Sequence, residues 1–202
     1  MIKLLFLFAG ICSAQNTLTL VGPPTIRRGT SAEISINLTS VSAQISGLQW
    51  TVAPPAGVTV SSSIIDPVIG VTINKVLACS VNNLLCLIYG INTNVIPSGP
   101  VAKITVNVAQ SAGLGSKTID LTGLLGVNSS GGTISVLTGP VYSVNILPSL
   151  EDINGDGSIN ATDVSLMVDQ ARGLAACSND QNSDGVCNLF DVMYIILKVL
   201  NP

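Results

Sequence analysis

Two twelve-residue segments near the C-terminal end of the chain, 152–163 and 180–191, follow one pattern at a spacing of 28 residues. Each has Asp or Asn at positions 1, 3, 5, 9 and 12, and Gly at position 6. The glycine permits a sharp turn that directs oxygen side chains inward, as in calcium-binding loops with about six to eight oxygen ligands. The duplication argues against a chance match and constrains this part of the chain to two similar loops.

The donor set of the two loops favours calcium over magnesium, because an all-protein cage of oxygen ligands suits the larger ion. The backbone carbonyls of Ser158 and Val186 are expected to contribute at position 7. The sequence therefore predicts two Ca²⁺ ions, and the alternative is a pair of acidic turns without metal. The predicted ligands are Asp152, Asn154, Asp156, Ser158, Asn160 and Asp163 in the first loop, and Asp180, Asn182, Asp184, Val186, Asn188 and Asp191 in the second.

Helical periodicity begins only after each loop, over residues 164–172 and 189–200, and Gly173 is a natural end for the first helix. The segment before the first loop, 146–150, is too short for a helix and contains Pro148. Both loops end in Asp rather than in the Glu of an ordinary EF-hand loop. The pattern thus predicts a duplicated loop–helix unit.

The longer N-terminal part of the chain, residues 16–147, shows short runs of alternating apolar and polar residues, separated by clusters of Gly, Pro, Asn and Ser. The clearest runs are 32–38, 48–52, 104–108 and 141–144. Such runs predict an all-β sandwich of about nine or ten strands. Residues 71–78 and 84–91 are predicted as the two strands of a hairpin, and Trp50 is expected in the core.

The first 14 residues have the features of a secretory signal peptide. Lys3 precedes the apolar run 4–11, and small residues follow up to Ala14, where cleavage is expected. A buried strand is the alternative, whereas lipidation is disfavoured because Ile11 before Cys12 is not small. No other stretch reaches the length of about 18 apolar residues that a membrane span requires. The sequence therefore predicts a secreted protein, extracellular or at the cell surface.

Export leaves four cysteines, for which an oxidising compartment makes disulfide bonds the default. Four cysteines allow three pairings, and proximity in sequence favours Cys79 with Cys86 and Cys177 with Cys187. The first pair falls near the ends of the two predicted hairpin strands and would fix their register. A metal site is a weak alternative, because neither pair has CxxC spacing and the chain has no histidine.

Charged residues make up only 9% of the chain and are unevenly distributed. Residues 1–150 have six basic and three acidic residues, a net charge of +3, whereas residues 151–202 have two basic and eight acidic residues, a net charge of −6. The asymmetry suggests two modules with different roles. The overall charge of −3 argues against nucleic-acid binding, and the lack of histidine excludes His-dependent catalysis.

Residues for carbohydrate chemistry are few in the predicted sandwich. Glycoside hydrolysis normally needs two carboxylates that face one another across the scissile bond. Glu33 and Asp120 fall at outward positions of alternating strands, and Asp66 is the one further acid of the sandwich. The aromatic residues that could stack on a sugar are limited to Trp50, Tyr89 and Tyr142. These observations predict a protein that is not an enzyme.

The duplicated loop–helix unit, residues 151–200, resembles a type I dockerin, the calcium-folded module of bacterial cellulosome-type assemblies. Parts of the predicted sandwich resemble a cohesin domain. These parts are the segment 25–37, in which Arg28-Gly29-Thr30 leads into an alternating strand, the run Gly47-Leu48-Gln49-Trp50-Thr51-Val52, and Gly99-Pro100-Val101-Ala102 before the strand 104–108.

The two resemblances imply a mainly β fold, with a cohesin-like jelly-roll β-sandwich of about nine strands at 15–147, after the signal peptide at 1–14. A small α-helical dockerin module at 148–202, with two calcium loop–helix repeats, would complete the chain. The implied function is a secreted, non-catalytic scaffold or adaptor for calcium-dependent cohesin–dockerin assembly, in extracellular polysaccharide degradation. The expected partners are therefore cohesin- or dockerin-bearing proteins.

The alternative is a carbohydrate-binding or cell-surface adhesion sandwich whose dockerin tail anchors it. Cohesins are structurally related to carbohydrate-binding sandwiches, so polysaccharide is a second candidate ligand. Extended sugar-stacking aromatics would favour this alternative, and the sequence has few of them.

In type I dockerins, loop positions 10 and 11 and the following helix face the cohesin. Here these positions are Ala161 and Thr162 in the first half but Leu189 and Phe190 in the second. Because burial of a Leu or Phe side chain stabilises by about 1.5–3 kcal/mol, the two pairs cannot fill one pocket equally well. The resemblance therefore predicts one dominant orientation, with Leu189 and Phe190 as anchors. The alternative is that these two residues pack inside the module against the first helix.

Overall fold

The computed structural model describes residues 15–41 and 44–201, and the predicted signal peptide at 1–14 lies outside them. The described residues form twelve β-strands, one π-helical turn and two α-helices. The strands are β1 (Thr17–Val21), β2 (Thr25–Arg27), β3 (Ser31–Thr39), β4 (Gly47–Ala53), β5 (Val58–Ile65), β6 (Val76–Cys79), β7 (Leu85–Tyr89), β8 (Gly99–Val108), β9 (Gly115–Val127), β10 (Thr133–Ile134), β11 (Leu137–Thr138) and β12 (Tyr142–Leu147). The helices are α1 (Ala161–Ala171) and α2 (Leu189–Leu200).

The strands form two sheets whose inner faces share one core, which makes a β-sandwich. A five-stranded sheet has the order β11-β1-β3-β8-β5, and a seven-stranded sheet has the order β2-β12-β9-β4-β7-β6, with β10 paired to β9. Neighbouring strands are antiparallel, except for the parallel pairs β1 with β11 and β2 with β12. The sequence predicted nine or ten strands, and nine of the twelve are longer than three residues. The other three, β2, β10 and β11, have three residues or fewer.

Alternation of apolar and polar residues builds the core as predicted. On β3, Ile34, Ile36 and Leu38 are at most 1% exposed, whereas the polar residues between them are partly exposed. Burial of side chains of this size stabilises the fold by about 1.5–3 kcal/mol each. Trp50 on β4 is 0% exposed, so its predicted core position is confirmed.

The predicted strand 71–78 is wrong in its first half, because Val68–Thr72 forms a π-helical turn. The Oδ1 atom of Asp66 accepts a hydrogen bond from the first backbone N–H of this turn at 2.9 Å. Asn74 has a φ of 56°, a left-handed conformation that interrupts an extended strand, so β6 starts only after it. The partner strand predicted at 84–91 is β7, which is shorter at both ends.

The C-terminal segment, residues 148–201, has a small core of its own. Met167, Cys187, Val192 and Ile195 are buried there, and six partly buried apolar residues pack around them. Helix α1 begins three residues earlier than predicted, and α2 has the predicted bounds. Among the described residues, no helix has both the length and the apolar character needed to cross a membrane.

Candidate functional site

The first loop, 152–163, is closed by its last residue, Asp163, which is 0% exposed. Its Oδ1 accepts a hydrogen bond from the Ile153 N–H at 2.8 Å, and its Oδ2 accepts one from the Asn160 N–H at 2.9 Å. The side chain of Asn160 in turn accepts from the Thr162 N–H at 2.8 Å. Asn160 and Asp163 thus form a capping box at the start of α1. The bond from Ile153 to Asp163 also links the beginning of the loop to its end.

The other oxygen side chains of the first loop are ordered by the loop's own backbone. Asp152 is 2% exposed, and its Oδ2 accepts from the Gly157 N–H at 2.9 Å. Gly157 has a φ of 93°, a conformation that favours glycine. Asn154 accepts from the Asp156 N–H at 2.9 Å, and Asp156 accepts from the Ser158 N–H at 2.8 Å.

The second loop, 180–191, repeats each of these hydrogen bonds. Asp191 is 0% exposed and accepts from the N–H groups of Gln181 and Asn188, both at 2.8 Å. The Gly185 N–H donates to Asp180 at 2.6 Å. The remaining equivalents run from the Asp184 N–H to Asn182, from the Val186 N–H to Asp184 and from the Phe190 N–H to Asn188. The sequence repeat is therefore also a structural repeat.

The loop residues fit a calcium ion through mixed donors. In the described part of the chain, no three His, Cys, Asp or Glu side chains cluster as a metal site. Each loop instead combines carboxylate, amide and backbone carbonyl oxygens, which are hard donors. Asp152 Oδ1 is buried without a hydrogen-bond partner, which is costly unless a cation satisfies it. The donor chemistry thus suits Ca²⁺, and calcium binding itself stays a prediction.

The second loop favours the ionised form of Asp184, although this side chain is exposed. The side-chain amide of Asn182 and the backbone N–H of Val186 donate to its carboxylate and hold its pKa below the ordinary value. Both hydrogen bonds are 2.9 Å long. An ionised carboxylate is the form that a metal ligand must have.

Both predicted disulfide bonds are present. Cys79–Cys86 links β6 to β7 where the two residues lie opposite one another in the antiparallel register. Cys177–Cys187 ties the segment before the second loop to position 8 of that loop. The other pairings that the sequence left open, and a metal role for these cysteines, are therefore wrong.

The four residues predicted to bind a partner lie on the surface. Ala161 and Thr162 are exposed at the start of α1, whereas Leu189 and Phe190 at the start of α2 are 68% and 69% exposed. The alternative that Leu189 and Phe190 pack inside the module is therefore wrong.

An exposed apolar stripe extends from these two residues along α2. Together with Met193, Leu197 and Leu200, they form what we call the α2 stripe. Met193, Leu197 and Leu200 are not among the residues predicted from sequence, although their helical spacing from Leu189 contains the signal. The equivalent residues 28 positions earlier are Ala161, Thr162, Ser165 and Asp169 of α1 and Arg172 directly after it.

A second exposed apolar face lies on the seven-stranded sheet. On β7, Leu85, Leu87 and Tyr89 are 46%, 39% and 45% exposed, while the two residues between them are buried. Val76 of β6 pairs with Tyr89, and Leu125 of β9 lies across β4 from Leu87. These five residues form what we call the β7 face. The β7 face was not predicted. A strand whose inward-facing and outward-facing residues are both apolar, as in β7, indicates that its outer side can also contact another surface.

The structure gives little support for a sugar-binding groove. A groove of about 310 Å³ lies beside β1 and β9, and Tyr142 is the one aromatic residue among the described residues that line it. Tyr142 is 9% exposed, and its hydroxyl donates to the Pro23 carbonyl. Its ring therefore presents little surface on which a sugar could stack.

The three acids of the sandwich are separated. Glu33 is exposed on β3 of the five-stranded sheet, where it pairs with Lys103 at 3.4 Å. Asp120 is exposed on β9 of the seven-stranded sheet, and Asp66 starts the π-helical turn. Glu33 and Asp120 therefore do not form the facing pair that glycoside hydrolysis requires.

No protein-family model and no curated protein matches this chain. A cohesin module from a family 33 glycoside hydrolase of Clostridium perfringens is similar in structure, with a TM-score of 0.55 and 11% identity, over 67% of this chain and 98% of that one. The third ScaB cohesin of R. flavefaciens, solved in complex with a group 1 dockerin, has a TM-score of 0.54 and 11% identity, over 68% of this chain and 98% of that one. The sandwich has a cohesin-like fold.

A third structure agrees. The third ScaC cohesin of Acetivibrio cellulolyticus, solved in complex with the ScaB dockerin, has a TM-score of 0.53 and 16% identity, over 66% of this chain and 99% of that one. The predicted cohesin-like sandwich is thereby confirmed as a fold. The likeness of the C-terminal segment to a dockerin stays a prediction.

Proposed function

We propose that the protein is a secreted, non-catalytic adaptor in assemblies that degrade extracellular polysaccharide. Its sandwich binds a dockerin-bearing protein, and its C-terminal segment acts as a dockerin module that binds a cohesin-bearing protein. The observation that carries the proposal is the presence, in one chain with a cohesin-like fold, of two loops with the same hydrogen-bond network. Two of the fold neighbours are bound to dockerins, and the third belongs to a glycoside hydrolase.

Two Ca²⁺ ions stabilise the C-terminal segment in this proposal. The ions are held by the oxygen-bearing positions of the two loops, from Asp152 to Asp163 and from Asp180 to Asp191. Each ion supplies positive charge against the three carboxylates of its loop, which otherwise repel one another. The need is strong because residues 151–202 have a net charge of −6 and a core of only four buried apolar residues.

The α2 stripe is the surface through which the segment contacts its cohesin-bearing partner. Phe190 and Leu200 are 69% and 70% exposed, and each gains about 1.5–3 kcal/mol when a partner buries it. At the five equivalent positions of the first half, the side chains are either small or charged. The difference supports one dominant binding orientation.

The β7 face is the corresponding surface of the sandwich. It lies on an outer sheet face, where Leu85, Leu87 and Tyr89 stand side by side with apolar neighbours on β6 and β9. Contiguous exposed apolar patches on a folded domain mark sites of protein–protein contact. A dockerin-bearing protein is the partner that the fold neighbours suggest.

An affinity experiment with the immobilised full chain tests the proposal. Culture supernatant of the producing organism is applied with Ca²⁺ or with EDTA, and retained proteins are identified by mass spectrometry. We expect cohesin- or dockerin-bearing proteins that are retained only with Ca²⁺. Retention that does not depend on Ca²⁺, together with binding of the chain to polysaccharide alone, would favour the adhesion alternative.

Two charge substitutions separate the two surfaces. Leu197→Asp on the α2 stripe is expected to lose the cohesin-bearing partner only, and Leu87→Asp on the β7 face to lose the dockerin-bearing partner only. Val21→Asp is the matched control, because Val21 is an apolar residue of β1 in the other sheet and is 53% exposed. Loss of both partners in all three variants would contradict the assignment of the two surfaces.

A further inference from the structure

Arg28 connects the sandwich to the first loop of the C-terminal segment. Its backbone N–H donates to the Leu147 carbonyl at 3.0 Å, and its Nε donates to the Ala112 carbonyl at 2.7 Å. The side chain is only 11% exposed. The backbone bond fixes the main chain at Arg28, and the Nε bond ties the guanidinium group to the backbone of the sandwich.

The guanidinium group lies against a predicted calcium ligand. Its Nη1 is 3.7 Å from Oδ2 of Asp152, the first position of the loop, which is 2% exposed. The same Nη1 is 3.0 Å from the place that a Cβ on Gly157 would take, so it also lies against the turn of the loop. Nη1 has no hydrogen-bond partner. The cation therefore acts on the loop by charge and not by a directed bond.

The orientation of Asp152 does not depend on Arg28. The Gly157 N–H donates to the Asp152 carboxylate at 2.9 Å, as the Gly185 N–H does to Asp180 in the second loop at 2.6 Å. In the described part of the chain, the other ion pair is the exposed one between Lys103 and Glu33. Among the described residues, Asp180 thus has the same backbone support as Asp152 without an ion pair, and the arginine that lines the same groove as Asp180 is Arg27.

We propose that Arg28 is a built-in counter-cation of the first loop, which lowers the calcium affinity of that loop and supports it when calcium is absent. The inference rests on the proposed calcium role of the loops. A fixed positive charge beside a cation site repels the ion, and burial strengthens the repulsion because screening by water is weak. In the calcium-free protein the same charge compensates Asp152, which would otherwise be a buried carboxylate without a counter-ion.

Calcium titration of the full chain by calorimetry tests the proposal. Asp184→Ala in the second loop and Asp156→Ala in the first provide two backgrounds in which mainly one site remains. In the Asp184→Ala background, Arg28→Gln is expected to raise the affinity of the first site about tenfold, the size of effect common for residues just outside a metal's ligand shell. In the Asp156→Ala background, it is expected to leave the second site unchanged.

Two further variants isolate the charge from the packing. Arg28→Lys keeps the positive charge but loses the Nε bond to Ala112, and it is expected to keep the low affinity of the first site. Lys103→Gln removes the same charge at a distant surface position and is expected to change neither site. A purely structural role for Arg28 would instead lower the affinity in both Arg28 variants.

A second readout is amide hydrogen exchange of the full chain in EDTA. The Gly157 amide is expected to exchange faster in Arg28→Gln than in the wild type, because the loop loses its internal cation. Unchanged or lower affinity at the first site in Arg28→Gln, or equal exchange in EDTA, overturns the inference. If the inference fails in this way but the second site still binds calcium normally, the proposed function stands. If neither site binds calcium, both the inference and the proposed function are overturned.

Discussion

At the scale of single residues, the two halves of the C-terminal segment share their polar framework and differ in the side chains that they present. The backbone N–H at loop position 11 donates to the capping Asn in both halves, from Thr162 to Asn160 and from Phe190 to Asn188. Because this bond uses only the backbone, the side chain at position 11 is free to vary. The framework preserves the fold of both loops, and the variation makes the two surfaces different.

Replacement of Phe190 by Ser is expected to preserve folding and to weaken binding of the cohesin-bearing partner. Phe190 is 69% exposed, so its loss should change the free energy of unfolding by less than about 0.5 kcal/mol. Aromatic anchors at interfaces contribute about 2 kcal/mol or more, which corresponds to a loss of affinity of about 30-fold. Thermal unfolding and partner binding of the full chain with Ca²⁺ measure the two quantities.

The matched control is Thr162→Ala at the same position of the first half, which should change neither quantity. An equal loss of binding in the control would indicate two equivalent orientations instead of one. A Phe190→Ser chain that no longer folds with Ca²⁺ would show that Phe190 is a core residue, against its exposed position.

At the scale of elements, the sequence predicted where strands and helices with a clear period lie, but not the role of their exposed apolar residues. The alternation of β3 specifies its buried side, and the strand matches its prediction. Helix α2 matches its predicted bounds, although it has apolar residues on its exposed side as well as on its buried side. Val68–Thr72 combines apolar residues with Gly70, which fits a strand or a short helical turn equally well. The β7 face was missed because periodicity identifies the buried side of a strand and leaves the role of an apolar outer side open.

Loss of the Cys177–Cys187 bond is expected to weaken calcium binding at the second loop more than at the first. The bond closes a separation of 10 residues that contains Asp180 and Asp184, and in the chain-entropy model such a constraint contributes about 2.5–3 kcal/mol. Calcium titration of the double variant Cys177→Ser, Cys187→Ser measures the change at each site. The double variant Cys79→Ser, Cys86→Ser removes a bond of the sandwich and should leave both sites unchanged.

An equal loss of affinity at the two loops would contradict this local bracing. Free thiols at Cys177 and Cys187 in the exported protein, detected by mass spectrometry, would contradict the bond itself.

At the scale of the whole molecule, the sequence separated two parts by charge and periodicity but did not indicate how they meet. The contact joins Arg27 and Arg28, near the start of the sandwich, to residues after β12 that follow more than a hundred positions later. Arg27 donates to the Pro148 carbonyl at 3.1 Å, and Arg28 lies beside Asp152. Local periodicity contains no information on such distant pairs. The two adjacent arginines therefore gain their role from the tertiary structure.

Removal of calcium is expected to affect the two parts of the molecule differently. Trp50 is the chain's single tryptophan and is fully buried in the sandwich, so its fluorescence reports on the sandwich alone. The sandwich core includes 28 buried residues and none of the loop ligands, so the thermal midpoint followed by fluorescence should be the same with Ca²⁺ and with EDTA. The fragment 148–202 lacks Arg28 and has a core of four buried apolar residues, too few to offset the repulsion among its carboxylates. Its helical far-UV circular dichroism should therefore appear only when Ca²⁺ is added, and a spectrum that Ca²⁺ leaves unchanged would exclude calcium-dependent folding of this segment.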